Sequence, residues 1–286
     1  MNSLIGSVSL AQAYAESSGL ELPFSIYRSL GEQKLHNVPV LKPMLIVVLG
    51  GEKQLGTKGE LFCGLGQFIF LSDHPAINMR NIPKADPYLA LLIEFELHDF
   101  SVLENTMPTH LEQCRTPTLS EHHLARHCTG LVTEPLELCL RQFVESVTWA
   151  PKELWAARRK ELLLLLQHLG FGDVFKTVGH AKLSYRIYEL FRKEPAKEYS
   201  MAELCTYFAL SESTLRRRLS AEGSGVQAIK DQVRLGLGLH LLQTTELAIG
   251  LIAERCAYSS ASRFTERFKE RFALTPSELR KTRVTP

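Results

Sequence analysis

The sequence predicts an α+β protein, with an N-terminal β-rich half followed by an all-α C-terminal domain. Three observations carry this expectation. Residues 24 to 97 hold short β-type runs broken by Gly and Pro, residues 134 to 169 switch to helical periodicity, and between Tyr199 and Lys281 one helical unit occurs twice. At 286 residues and 45% hydrophobic content, the chain can fill two cores and is too apolar for global disorder.

Residues 1 to about 22 read as helical or loose and carry little chemistry. The β-type runs follow at Phe24–Tyr27, Met44–Leu49, Phe68–Leu71 and Tyr88–Phe95, separated by Gly50-Gly51, Gly56, Gly59, Gly64, Gly66, Pro75, Pro83 and Pro87. Many short strands with such punctuation point to a small β-barrel or sandwich. A metal-holding barrel enzyme would need several imidazoles on neighbouring strands. The region offers only His36 and His74, neither with a His two residues away. Gly64-Leu65-Gly66 lacks a third Gly and a following helix, so it reads as a turn rather than a phosphate loop. No catalytic residue and no cofactor are expected.

The stretch SEHHLARHCTG places His122, His123, His127 and Cys128 together, with His123 and His127 four apart. Those residue types suit zinc, but an exposed polar helix accounts for the same run, and no metal is expected. From Glu134 the pattern is helical, with Leu136, Leu140, Phe143 and Val147 on one face. Arg158-Arg159-Lys160 then precedes the Leu162–Leu166 run. These helices suit either a dimer seam or packing against the chain's own strands, and both readings stay open. Gly170 to His180 reads as a linker. The domains are therefore expected at 1–170, with a linker at 171–181 and an all-α domain at 182–286. That domain opens with a helix burying Leu183, Ile187 and Leu190 or Phe191.

Copy one of the repeat has its apolar positions at Met201, Leu204, Cys205, Phe208, Leu210, Leu215 and Leu219. Copy two has them at Ile249, Ile252, Ala253, Cys256, Tyr258, Phe264 and Phe268. The i, i+3, i+4 spacing gives each helix one buried face. A short helix, a tight break and a second helix with a polar outer face is the helix-turn-helix plan, whose second helix lies in the major groove. Ser200 with Glu203 forms a capping box, Ser211 and Ser260 (or Ser259) can cap the second helices, and Thr275-Pro276-Ser277-Glu278 opens a last helix. The candidate DNA contacts are Ser211, Ser213, Thr214, Arg216, Arg217 and Arg218 in copy one. In copy two they are Ser260, Ala261, Ser262, Arg263, Thr265 and Glu266. Arginine reads guanine with a bidentate fork, while Ser and Thr are tolerant partners. A helix from about Val226 to Leu242 links the copies, with Val226, Ile229, Val233 and Leu237 on one side. Its Gly236 and Gly238 each cost on the order of 1 kcal/mol of helix propensity.

Charge is uneven although the whole chain is only +2. From Ala181 onward there are 18 Lys and Arg against 12 Asp and Glu, a net of +6, while the first 180 residues carry −4. The C-terminal part is thus the electrostatic candidate for phosphate contact. The six cysteines (Cys63, Cys114, Cys128, Cys139, Cys205, Cys256) show no CxxC spacing, which suits reduced thiols. No basic, apolar leader opens the sequence and no apolar run approaches a membrane span, so a cytoplasmic protein is expected.

The segment AYSSASRFTERFKERFALTPSELR, with Tyr258, the paired Phe264 and Phe268, and the Thr275–Glu278 opening, resembles the DNA-binding domain of the AraC/XylS family of transcriptional regulators. The resemblance runs from about Lys182 to Arg283. The segment from Pro43 to Phe95, with Gly51, Lys53, Gly66-Gln67-Phe68, Pro75 and Pro87 to Leu91, resembles the cupin-like N-terminal domain of one branch of that family. The resemblance implies a cupin-like barrel followed by two helix-turn-helix units on a long helix. It also implies promoter DNA and RNA polymerase as partners, activation rather than repression, and a barrel that binds a small effector or supports a homodimer. Three residues depart from the family pattern: Ala257 stands for a Gly, Glu266 for a basic or polar contact, and Gly238 for an Ala. The alternatives are a cupin-type small-molecule enzyme with an accessory helical domain, or a protein-interaction adaptor.

Overall fold

The computed structural model describes residues 1–40, 42–57, 59–72, 74–104, 126–178 and 182–283. Helix α1 (Asn2–Ser18) is followed by β1 (Ser25–Ser29), β2 (Gln33–Val40), β3 (Met44–Gly50), β4 (Glu52–Leu55), β5 (Leu61–Gly64), β6 (Gln67–Leu71), β7 (His74–Ile82) and β8 (Tyr88–Glu94). A short α2 (Ser101–Glu104), β9 (His127–Leu131), α3 (Glu134–Glu145) and α4 (Glu153–Leu166) complete the first half. The strands form two antiparallel sheets, ordered β1-β8-β3-β6-β9 and β2-β7-β4-β5. The cupin-like domain is therefore two sheets rather than a closed barrel. One cause lies in β2, whose register with β7 shifts twice between Leu35 and Val40, with Asn37 at φ 50°. Such bulges bend a strand and end its pairing.

Strand β3 shows why this half reads as a continuous apolar run. Leu45, Val47 and Leu49 face a core shared with α1, α3 and α4, while Ile46 and Val48 face the second sheet. Both faces of β3 are buried, so the alternation of inward and outward residues carries no polar signature. Leu136, Leu140 and Phe143 of α3 and Trp155, Leu162, Leu163 and Leu166 of α4 are buried in that first core, against the chain's own sheet. Val174, Phe175 and Val178 extend the same core past α4, within the segment expected to be a linker. His127 begins strand β9, opposite Leu71, so it does not continue a helix from His123. His122, His123 and Cys114 lie outside the described residues.

The C-terminal half consists of α5 (Leu183–Lys193), α6 (Met201–Phe208), α7 (Glu212–Ala221), α8 (Val226–Thr244), α9 (Ile249–Arg255), α10 (Ala261–Phe272) and α11 (Pro276–Lys281). Helix α8 is shared by two cores. Its Ile229 and Val233 pack with α5, α6 and α7, while Leu235, Leu239 and Leu242 pack with α9, α10, α11 and the four-stranded sheet. At 19 residues it is about 28 Å long. No helix among the described residues is long and apolar enough to cross a membrane.

The second helix-turn-helix unit is docked on the β-domain. The Leu30 and Gly31 N–H groups donate to the Thr282 carbonyl (2.6 and 3.0 Å), and Asn37 Nδ2 donates to the Arg271 carbonyl at 3.5 Å. Tyr27 OH lies 3.3 Å from His240 Nδ1 of α8. Helix α5 adds a charged contact, in which buried Lys42 pairs with Glu96 and Glu189.

Candidate nucleic-acid interface

Each helix-turn-helix unit is built from local signals that operate as written. In copy one, Ser200 Oγ accepts from Glu203 N at 3.2 Å, and the Glu203 carboxylate accepts from Ser200 N at 2.7 Å. Those backbone and hydroxyl donors hold the Glu203 carboxyl below the usual carboxylate range. Helix α6 stops at Ala209, which takes a left-handed conformation at φ 52°. Ser211 then caps α7 by accepting from Thr214 N at 3.3 Å. Leu215 and Leu219 are fully buried and fix which face of α7 points outward. Ser213, Arg216, Arg217 and Arg218 are exposed, and Thr214 is half-buried. Arg216 pairs with Glu212 at 2.8 Å, whereas Arg217 and Arg218 meet no acidic partner among the described residues.

Copy two repeats the plan with a heavier core. Ala257 sits at φ 59° where Ala209 sits in copy one, and Ser260 caps α10 by accepting from Arg263 N at 3.2 Å. Phe264, Phe268 and Phe272, four apart, pack at steep interplanar angles along the buried face with ring centroids 5.5 and 4.6 Å apart. Ala261, Ser262, Arg263 and Glu266 are exposed and Thr265 is half-buried. Arg267, next to Glu266, turns instead to α8, where it donates to Asp231 at 2.9 Å. That bond raises the Arg267 pKa and ties α10 to the connecting helix. Ser211 and Ser260 therefore use their hydroxyls as N-caps, and the side chains free to meet a ligand are exposed ones further along each helix.

Two groups of residues that position this face were not visible from the repeat. Gly238 of α8 passes directly under the Phe264 ring, where an added Cβ would come within 2.7 Å. Its cost in helix propensity is thus offset by letting α10 lie close against α8. Arg283 donates to the Leu242 and Thr245 carbonyls at 2.8 Å each, and Arg280 to the Leu247 carbonyl at 2.8 Å. These are the orphan carbonyls at the C-terminal end of α8 and the turn after it, satisfied by cations as the helix dipole favours. Both arginines sit near the chain end, and only the fold brings them to α8.

Residues 204–282 match the helix-turn-helix domain family. The urease operon transcriptional activator of Escherichia coli is 31% identical over 94 residues, covering 33% of this chain and 32% of that protein. The regulator GadX of Escherichia coli O6:H1 is 22% identical over 178 residues, 61% of this chain and 62% of that protein. The chain thus spans less than two thirds of either relative. The whole fold is similar to ToxT of Vibrio cholerae. An apo form gives a TM-score of 0.64 at 14% identity, covering 92% of this chain and 99% of that one. The unsaturated-fatty-acid-bound form gives 0.59 at 13% identity, covering 91% and 95%. Residues 204–282 thus belong to a helix-turn-helix domain, set behind a β-domain in a fold similar to that of ToxT.

Proposed function

We propose that the chain is a sequence-specific DNA-binding regulator of transcription, acting as an activator in the cytoplasm. The observation that carries this reading is the pair of capped helix-turn-helix units at the two ends of α8, each with an exposed polar and basic second helix. The length of α8, about 28 Å, supports α7 and α10 entering successive major grooves roughly 34 Å apart. Arg217 and Arg218 in the first groove, and Ser262, Arg263 and Thr265 in the second, are the side chains free to reach bases or phosphates. The net of +6 on this half favours the encounter.

The β-domain supplies the regulatory half. A cavity of about 930 Å³ opens where the four-stranded sheet meets α5 and α8, with Tyr27, Lys53, Leu92 and His240 in its wall. That volume suits a small effector, and ToxT is a protein of this fold solved with an unsaturated fatty acid bound. The chain would work as a homodimer, with exposed Leu138 of α3, Trp149 in the connection after it and Leu154 of α4 as the contact. That the similar urease operon regulator is a transcriptional activator supports RNA polymerase as the further partner.

The test is selection of DNA from a random pool, followed by footprinting. Arg217→Ala should weaken the selected site by about 1–3 kcal/mol if Arg217 reads a base. If it contacts only phosphate, all sequences should weaken alike and the salt slope should fall by about one. Unchanged affinity and footprint would remove Arg217 from the interface, and failure to enrich any sequence would overturn the reading.

A further inference from the structure

Glu266 is an exposed residue of α10 without a role in the reading above, yet its place on the helix is a prominent one. Both second helices are capped by a serine, Ser211 in α7 and Ser260 in α10. Both bury the residues four and eight positions after that cap, Leu215 and Leu219 in α7 and Phe264 and Phe268 in α10. The two helices therefore align without a gap, and six positions after the cap stand Arg217 and Glu266. At 3.6 residues per turn each residue advances about 100°, which puts both side chains about 180° around from the middle of the buried pair. Each is thus the foremost side chain of its helix, and the two carry opposite charge.

The neighbours of Glu266 leave it uncommitted. Arg267, the next residue, donates to Asp231 at 2.9 Å and to Glu270 at 2.6 Å. Arg263, one turn earlier, is exposed and closes no ion pair with Glu266, which has no cationic partner among the described residues. A lone carboxylate at the front of a helix is repelled by the phosphates that flank a groove. It suits a reading helix only where it ends on a donor of the groove floor, because an ionised carboxylate can only accept. The major groove offers two such donors, cytosine N4 and adenine N6. Beside adenine N6 lies N7, an acceptor that would confront the second carboxylate oxygen, whereas cytosine carries no acceptor next to N4 on that edge. Guanine O6 and N7 and thymine O4 only accept, so they reject the group outright.

We propose that Glu266 accepts from the N4 amine of a cytosine in the major groove entered by α10, and so sets the base preference of the second helix-turn-helix unit. This rests on the regulator reading above and names a specificity determinant within it. The same position of α7 carries Arg217, whose fork suits the acceptor edge of guanine. One place in a duplicated unit therefore serves two opposite base edges, and the two half-sites of the operator differ there instead of repeating.

The experiment carries the random-pool selection through with the full chain and with Glu266→Ala and Glu266→Gln. The half-site of α10 is the one whose pattern Arg217→Ala leaves unchanged. The wild type should enrich one C·G pair in it. Replacing that cytosine by thymine exchanges the N4 donor for the O4 acceptor and should weaken binding by roughly 5- to 150-fold, as one good base contact supplies. Glu266→Ala should bind the two sites within about twofold of each other and keep every other preference. Glu266→Gln gains an amide donor for adenine N7 beside an acceptor for N6, and should move the preference at that one pair to A·T. Preferences retained elsewhere in both half-sites show that the variants are folded. If Glu266→Ala instead binds every sequence more tightly and alike, the carboxylate only repels phosphate, and the inference is overturned. A wild-type pattern kept by both variants overturns it as well. In either of those cases a site is still selected and the regulator reading stands. A wild type that enriches no sequence removes the regulator reading and this inference together.

Discussion

Two glycines in one helix, two residues apart, should respond to the same substitution with opposite signs. Gly236 and Gly238 both interrupt α8, where replacing an interior Gly by Ala ordinarily returns about 1 kcal/mol. At Gly236 the new methyl would meet only Pro39 Cγ, at 3.7 Å, an ordinary contact. Gly236→Ala should therefore stabilise the chain by about 0.5–1 kcal/mol. At Gly238 the new methyl would stand 2.7 and 2.8 Å from two atoms of the Phe264 ring and 3.4 Å from Cys256 Sγ. Phe264 is fully buried and has Tyr258 and Phe268 on either side, with centroids 5.4 and 5.5 Å away, so the ring has little room to move. Overpacking of this kind costs about 1–3 kcal/mol, which exceeds the propensity gain. The two variants should differ by roughly 2 kcal/mol, or about 4–8 °C in Tm for a cooperative unit of this size. Thermal unfolding followed by circular dichroism measures both. If the two substitutions shift Tm in the same direction by similar amounts, close packing of Phe264 on α8 is not what retains Gly238.

Other consequences are as specific. Ala257 at φ 59° holds a conformation that costs an alanine about 1–2 kcal/mol, so Ala257→Gly should gain about 0.5–1 kcal/mol after the unfolded-state entropy of glycine is subtracted. A lower urea midpoint would contradict this. Phe268→Ala removes a ring wedged between Phe264 and Phe272 and should cost about 3–5 kcal/mol. Footprints should then lose protection in one half-site only, and intact protection of both would count against α10 as the second reader. Burial lowers the His240 pKa at the Tyr27 contact, against the opposing pull of Glu94 and Glu21. The native state therefore binds fewer protons there than the unfolded chain, so this stability is complete above the ordinary histidine value of about 6.5 and is lost as pH falls below it. The urea midpoint of the wild type should drop between pH 7.5 and 5.5 by more than that of His240→Gln, and equal drops would exclude His240.

Sequence by itself determined whatever depends on neighbours within a turn or two. The spacing of Leu215 with Leu219 and of Phe264 with Phe268 specified the buried faces of α7 and α10. The Ser200–Glu203 and Thr275–Glu278 pairs specified helix starts, because capping partners lie three residues apart. The four apolar β-runs were equally legible, since each becomes a strand with a buried face. Strands β2, β4 and β7 were not, because the polar residues Gln33, Lys53 and Asn81 occupy inward positions on them and conceal the alternation. Those residues are tolerated inside only because Asn81 joins its cross-strand neighbours and Thr282 lies 249 positions from Gln33 in the chain yet within hydrogen-bond reach. Tertiary structure alone decided that hydrogen-bond chain, the ring seated on Gly238, and the docking of the second helix-turn-helix unit on the β-domain. Each depends on contacts between segments far apart in sequence, where periodicity and capping carry no information.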